Sequence, residues 1–288
     1  LFYCSRDVFE KKGATVHMET SVERIDFDAK QVVARDKGGK EIKTGYDKLI
    51  LATGSLPIVP KIPGIDLENV KQVKLFQDGK AINEILEKPE IRRVAVVGAG
   101  YIGVEIVEAV KRRGKEALLF EAADTSLSTY YDPWFTHDMD RVLKDGGIEL
   151  HYSEMVKAIK GPGKVSGIVT DKGEYAVDMV ILSIGFRPNT ALGDGKIKTF
   201  ANGAFLVNRK QETSLPGVYA VGDCSTVYSN ALQAETYNAH ATNAVRSGVV
   251  AGHNVCGTPL ESIGVQGSSG INIFDYKMVS TGLNMQAA

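Results

Sequence analysis

The sequence predicts an α/β fold, with two three-layer domains of like design followed by the start of a smaller α+β element. Three observations predict it: an apolar run ending in a glycine turn occurs twice, a β-α-β unit opens the second domain, and the tail switches to an alternating pattern.

The repeat comes first. Asp47-Lys48-Leu49-Ile50-Leu51-Ala52-Thr53-Gly54-Ser55-Leu56-Pro57 and Asp178-Met179-Val180-Ile181-Leu182-Ser183-Ile184-Gly185-Phe186-Arg187-Pro188 share one frame, with Asp seven positions before Gly and Pro three after it. Unbroken apolar runs of this kind suit parallel strands covered on both faces. Each follows a strand-rich stretch: residues 15–25, 31–35 and 41–43 before the first, and 148–152, 155–159 and 165–170 before the second. Gly38-Gly39 and Gly161-Pro162-Gly163 punctuate these stretches, so each reads as a small antiparallel meander.

The β-α-β unit begins with the strand Arg92-Arg93-Val94-Ala95-Val96-Val97 and turns at Gly98-Ala99-Gly100-Tyr101-Ile102-Gly103. Ile102, Ile106, Ala109 and Val110 then follow helical spacing, and Gly114 past Lys111-Arg112-Arg113 is a helix stop with cations in the last turn. Ala117-Leu118-Leu119-Phe120 is the next strand. A GxGxxG loop between a strand and an amphipathic helix is the setting a dinucleotide requires. Its glycines permit a tight turn and close backbone approach to phosphate, and the helix adds about half a positive charge at its N-terminus. Glu121 ends the second strand, 23 residues after Gly98. An acid there accepts from the ribose hydroxyls of NAD and repels the 2′-phosphate of NADP. Ala122-Ala123-Asp124 supplies no cation to offset it. Two Rossmann-like dinucleotide-binding domains are therefore expected.

Composition bounds the rest. The chain has 288 residues, 43% hydrophobic and 24% charged, with a formal net charge of −1. This is ordinary globular composition, and it gives no reason to expect a nucleic-acid or membrane partner. No segment approaches the ~20 apolar residues of a membrane helix. The cysteines, Cys4, Cys224 and Cys256, are few and odd in number, which suits a reducing compartment such as the cytoplasm. No metal site is expected, since no CxxC or Cys/His cluster occurs. The chain starts at Leu1, which leaves an upstream signal sequence open.

Beyond about residue 208, Leu215-Pro216-Gly217-Val218-Tyr219-Ala220-Val221-Gly222-Asp223 is a short strand ending in Gly-Asp, and a helix is expected over 239–251. The alternating tail, 265–280, begins a third element. The expected domains are 1–88 with 209–257, then 89–208, then 258–288. Gly98 precedes Gly185 by 87 residues. The same spacing would put the glycine loop of the first domain roughly 33 residues ahead of Leu1. Its opening β-α-β unit, and most of the third element, are thus expected outside the chain.

The combined pattern resembles the pyridine nucleotide–disulfide reductase superfamily, and within it the bacterial water-forming NADH oxidases and NADH peroxidases. The residues responsible are Val97-Gly98-Ala99-Gly100-Tyr101-Ile102-Gly103-Val104-Glu105, Ile184-Gly185-Phe186-Arg187-Pro188-Asn189-Thr190, Tyr219-Ala220-Val221-Gly222-Asp223-Cys224, Thr242-Asn243-Ala244-Val245-Arg246 and Gly264-Val265-Gln266-Gly267-Ser268-Ser269-Gly270. The resemblance implies FAD in the first domain and NADH in the second, with a C-terminal dimerisation domain and a homodimer or homotetramer as the complete protein. It implies that Asp223 bonds a ribitol hydroxyl, with Gly222 allowing close approach. Thr53, Gly54 and Ser55 would pass near the flavin nucleotide, and Val22 near its adenine. Ala239, His240 and Ala241 would start a helix facing the flavin pyrimidine edge. In the NADH site, Tyr101 would cover the flavin, Glu105 would orient the nicotinamide, and Ile102, Tyr130 and Gly185 would line the remainder.

Relatives keep a redox-active Cys that cycles through a sulfenic acid, expected here upstream of Leu1. None of the three cysteines matches it, so no catalytic residue is assigned within the chain. Asn238 and His240 stand where relatives carry apolar residues, and His240 is open between a donor to the flavin and a disturbance of the site. His17, His137, His151 and His253 show no partner pattern. The implied activity is FAD-dependent oxidation of NADH by oxygen to water, the chain alone being an inactive fragment. A peroxide acceptor, a CoA-disulfide acceptor, electron transfer to an iron–sulfur protein, and a non-catalytic NADH-binding fragment are the alternatives.

Overall fold

The apolar run Arg93–Val97 is the middle strand of a five-stranded parallel sheet. In the computed structural model, which describes residues 5–288, Val94, Ala95 and Val96 are fully buried. Met179–Leu182 pairs along one side, with Val70–Gln72 beyond it. Glu116–Phe120 pairs along the other, with Glu149–His151 outermost. Side chains alternate across a strand, so the sheet feeds two cores. Val94 and Val96 pack with Val104, Val107 and Val110 of the helix Tyr101–Arg112, with Met139 and Leu143 of the helix Pro133–Asp145, and with Ile82 and Leu86 of the helix Phe76–Leu86. Ala95 packs on the opposite face with Leu118, Phe120, Ile159 and Ile168, under the antiparallel meander Val156–Lys160, Gly167–Thr170 and Glu174–Ala176. Three layers result.

Two expectations for this unit change. Residues 148–152 do not open the meander. Glu149–His151 is the edge strand of the parallel sheet, with His151 stacked on Phe120 at 4.5 Å. The unpredicted helix Pro133–Asp145 makes it the end of a crossover, a return that only a parallel strand needs. The third meander strand is Glu174–Ala176 instead. The tail forms the hairpin Ser269–Ile273 and Tyr276–Ser280, turning on Phe274 and Asp275, both at positive φ. It does not stand apart, because Ile271, Ile273 and Met278 join the helix-side core.

A second unit holds the meander Thr20–Asp26, Gln31–Asp36 and Glu41–Gly45, the parallel pair Leu49–Leu51 and Val218–Ala220, and the helix Ala241–Val255. Ile25, Leu51, Phe205 and Val218 form its core. Its first strand starts at Thr20 rather than residue 15, since Glu19 adopts a positive φ that interrupts the extended run. Its helix runs 241–255 rather than 239–251.

Packing divides the chain at other points than the expected borders of 88 and 208. One unit is 1–53, 189–226 and 239–262, and the other 54–188, 227–238 and 263–288. Residues 54–88 go with the five-stranded sheet because Val70–Gln72 pairs into it. Residues 189–208 go with the other unit because Ile197, Phe205 and Val207 fill its core. Among the described residues, no helix is long and apolar enough to cross a membrane.

Candidate nucleotide site

Strand Arg93–Val97 sits where the strand order reverses, with Glu116–Phe120 on one side and Met179–Leu182 on the other, and ligands of such sheets bind at the carboxyl ends of the strands at that point. The glycine loop emerges there. Gly98 has φ +99°, and a Cβ on it would lie 2.6 Å from the Ser183 carbonyl. A Cβ on Gly103 would collide with the Gly98 carbonyl. These two glycines are required by the chain's own packing. Gly100 is different: its φ is −73°, and an added Cβ would meet only the Tyr130 ring, at 3.9 Å. Nothing inside the protein demands glycine there, but a Cβ would fill the space over the helix N-terminus where a phosphate would sit.

One side of the loop is tied down. Gly98 N–H donates to Phe120 O at 2.8 Å, and the Ser183 hydroxyl donates to Val97 O and Gly98 O at 2.9 Å each. Leu127 N–H donates to Ala99 O at 2.9 Å. Ala99 N–H donates to the Glu121 carboxylate at 2.7 Å, and Ala123 N–H to its other oxygen at 3.0 Å. Gly100 caps the helix without a side-chain hydrogen bond, leaving the first-turn N–H groups available to an anion. Glu121 is thus not a free surface acid, since it holds the loop. A carboxylate has about four lone-pair sites, so these bonds do not saturate it.

The segment after Glu121 is anchored by Asp140. Its carboxylate accepts from the Thr125 hydroxyl at 2.5 Å, the Ser126 hydroxyl at 2.6 Å, Ser126 N–H at 3.2 Å and the Tyr152 hydroxyl at 2.7 Å. That fixes the approach to Tyr130 and Tyr131. Tyr101, on the first helical turn, meets the Tyr130 ring edge-on at 4.6 Å between centroids, and its hydroxyl bonds Tyr131 at 2.8 Å and Ser269 at 2.6 Å. Burial pushes the Tyr101 phenol well above its ordinary pKa, so it stays a neutral hydroxyl. Ile102 is half-buried beside Tyr101. Glu105 lies one turn on, its carboxyl raised by desolvation and by the nearby Glu108 charge. Gly185, φ +100°, leaves the neighbouring strand at the same sheet edge, its carbonyl accepting from Ile58 N–H at 3.0 Å. The structure therefore gathers Gly98, Gly100, Tyr101, Ile102, Gly103, Glu105, Glu121, Tyr130 and Gly185 in one unit.

The residues expected near a flavin are split. In the other unit, Val221 N–H donates to Leu51 O at 3.0 Å, placing the Gly222-Asp223 turn at the end of the parallel pair. Gly222, φ +69°, donates its N–H to the Ser247 hydroxyl at 3.1 Å. Thr53 donates its hydroxyl to Asn189 O at 2.5 Å. His240 caps the helix Ala241–Val255 with no side-chain bond to it, with Ala239 just before and Ala241 its first residue. Val22 is exposed at a bulge in its strand. Gly54 and Ser55 group with the five-stranded unit instead, where Ser55 pairs with Pro188.

Cys224 is buried, its thiol facing the Leu51 and Val221 carbonyls at 3.4 and 3.2 Å, while Cys256 is exposed. Cys4 lies outside the described residues. His151, which shows no partner in the sequence, stands between Glu149 and Glu154 at 2.9 and 3.2 Å. Sequence reasoning also missed Ser183, Asp140, Tyr131 and Ser269. The adjacent tyrosines at 130–131 were a usable signal, whereas the motif Gly264 to Gly270 contains Ser269 without indicating that it meets Tyr101.

Fold and loop together define a dinucleotide-binding α/β protein. The chain belongs to the pyridine nucleotide-disulphide oxidoreductase family, which residues 6–248 match. It is 56% identical over 290 residues to an NADH oxidase of Lactococcus lactis subsp. cremoris and 54% identical over 299 to one of Streptococcus pyogenes serotype M6. Each comparison takes in 100% of this chain and 65% of the relative, so the chain spans about two-thirds of their length. A water-forming NADH oxidase from Lactobacillus brevis, solved bound to NADH, superposes with a TM-score of 0.95 at 38% identity, covering 99% of this chain and 63% of that one.

Proposed function

We propose that the chain is the NADH-handling part of a cytoplasmic, FAD-dependent NADH oxidase that reduces oxygen to water and works as a homo-oligomer. The observation that carries this reading is the glycine loop with Glu121 bonded to it: an anion cradle at Gly100 and an acid at the ribose position. The relatives' names support the choice of NADH and of oxygen. The free thiols of Cys224 and Cys256 suit a reducing compartment.

The proposed roles are these. The N–H groups at Gly100 to Gly103 would receive the pyrophosphate, and Glu121 the adenosine ribose hydroxyls. Tyr130 and Tyr101 would wall the path toward the nicotinamide, with Glu105, Ile102 and Gly185 around it. Bound FAD would supply the two-electron acceptor for the hydride of NADH. Asp223 would hold its ribitol, with Thr53 and Val22 along the nucleotide. The uncapped N-terminus at Ala239, His240 and Ala241 would favour negative charge at the pyrimidine edge. Reduction of one oxygen molecule to two waters takes four electrons, hence two NADH and two protons.

The experiment is calorimetric titration of the chain with NADH and NADPH, and an oxygen balance on the gene's full-length product. NADH should bind at least tenfold more tightly than NADPH, and two NADH should be consumed per oxygen with no peroxide released. Absence of NADH binding would overturn the site. A one-to-one balance with peroxide accumulating would overturn the water-forming chemistry.

A further inference from the structure

We infer that the tail hairpin sets the position of Tyr101, with Ser269 as the positioning residue. The inference rests on the reading of the glycine loop as the NADH site. It starts from the pattern of the hairpin. Residues 269, 271 and 273 share one face, as do 276, 278 and 280. Ile271, Ile273 and Met278 of that face are buried in the core. Its open end nevertheless carries two hydroxyls, Ser269 and Ser280, which are directly cross-strand partners. A hydroxyl taken out of water is costly unless it is hydrogen-bonded.

The bonds are present and continuous. Ser280 and Ser269 hydroxyls lie 3.1 Å apart, Ser269 and Tyr101 2.6 Å, Tyr101 and Tyr131 2.8 Å. One donor order satisfies all three, running from Ser280 to Ser269 to Tyr101 to Tyr131, and bonds in such a chain reinforce one another. The hairpin is itself a firm support. Its turn residue Phe274 donates its N–H to the Glu108 carboxylate at 2.8 Å, and the Phe274 ring lies 5.7 Å from the Arg112 guanidinium and fills the space where a Cβ on Gly146 would stand. The Tyr276 hydroxyl reaches Asp138 at 3.4 Å.

Tyr101 is thereby held from the hydroxyl end while its ring rests edge-on against Tyr130, the residue that overlies Gly100. A wall held in advance spares the ligand the cost of ordering it. Ser269 never has to touch nucleotide to act in this way. It acts on the nicotinamide end and leaves the phosphate cradle alone.

The test is a double-mutant cycle on the full chain, read by calorimetry with two probes, NADH and ADP-ribose, the latter lacking nicotinamide. Ser269→Ala should weaken NADH about three- to tenfold and leave ADP-ribose within twofold, while Ser269→Thr, which keeps the hydroxyl, should retain most of the affinity. In a Tyr101→Phe background, where the chain of hydroxyls is already broken, Ser269→Ala should add nothing. The inference is overturned if Ser269→Ala leaves NADH binding unchanged, weakens both probes alike, or costs as much in the Tyr101→Phe background. A parent chain that binds neither probe overturns the nucleotide site itself, an outcome distinct from a parent that binds both but ignores Ser269.

Discussion

The Glu121 carboxylate accepts a hydrogen bond from the Ala99 backbone N–H at 2.7 Å, so the acid at the end of the second strand and the glycine loop before the helix form one piece. A change at Glu121 therefore has two consequences. It removes the charge proposed to face the ribose, and it frees the loop. Glu121→Ala should lower NADH affinity about tenfold, or ~1.4 kcal/mol. Combined with Ala122→Arg, which brings a cation to the same place, it should bind NADPH at least as well as NADH. Calorimetry with both nucleotides decides; equal affinities in the unaltered chain would remove the basis for this selectivity.

Gly100 and Gly103 should behave oppositely. Gly103→Ala drives a Cβ into the Gly98 carbonyl, so stability should fall by about 1–3 kcal/mol, as overpacking does. Gly100→Ala meets no such obstacle. It should leave the denaturation midpoint unchanged and weaken NADH tenfold or more by filling the phosphate space. Urea unfolding paired with nucleotide titration separates the two; a Gly100→Ala protein that binds NADH normally would refute the cradle.

Asp140 accepts from three side chains and one backbone N–H. Asp140→Ala leaves Thr125, Ser126 and Tyr152 without their acceptor. The expected loss is about 3 kcal/mol, given ~1.5–3 kcal/mol for a hydrogen bond to a charged group and the cost of the donors left behind. A change below ~1 kcal/mol in chemical denaturation would show that this segment is held by something else.

Around His151 the prediction is one of pH. Burial alone would raise Glu154, but hydrogen bonds from Thr170 and Tyr175 and the neighbouring His151 outweigh it and hold its pKa below the ordinary 4.5. Glu149 is lowered likewise, Arg93 and His151 overcoming its desolvation. In the unfolded chain both groups take up protons near 4.5, and in the folded chain only at lower pH. Their stabilisation is therefore complete above 4.5 and is lost as pH falls through the folded values. Glu154→Gln should lower the melting temperature at pH 7, and the gap to the parent should shrink toward pH 3. A gap constant with pH would mean that the carboxylate charge is not what matters.

The chain of 288 residues should bind NADH without carrying out the four-electron reduction of oxygen. It carries the glycine loop from Gly98 to Gly103, and the Cys224 thiol is buried against the Leu51 and Val221 carbonyls. The preparation should be nearly colourless, and NADH should quench the emission of Trp134, the single tryptophan, by energy transfer. A yellow preparation carrying stoichiometric FAD and forming water would contradict this.

Much of the nucleotide-binding unit was readable along the chain because its signals are local. The run Arg92 to Val97, the glycine spacing from Gly98 to Gly103, the helical register of Ile106 and Val110 and the acid at Glu121 all lie within some 30 consecutive residues. Each follows from the geometry of a strand, a turn or a helix. The repeat around Gly54 and Gly185 likewise signalled two parallel strands, of which Met179–Leu182 is buried on both faces while Ile50 in Leu49–Leu51 stays exposed.

What remained belongs to pairings that no local pattern encodes. Glu149–His151 has the alternation of any short strand, and only its place beside Phe120 makes it parallel. Residues 54–88 carry no label saying which core they will fill, and Val70–Gln72 settles that by pairing with Met179–Leu182. Tyr101 and Ser269 are 168 positions apart, yet they share a hydrogen bond because the hairpin folds back onto the helix face. Hydrophobic periodicity states that a residue will be buried and on which face. Which distant residue meets it there is decided only when the layers close, since the partner's position depends on every crossover between them.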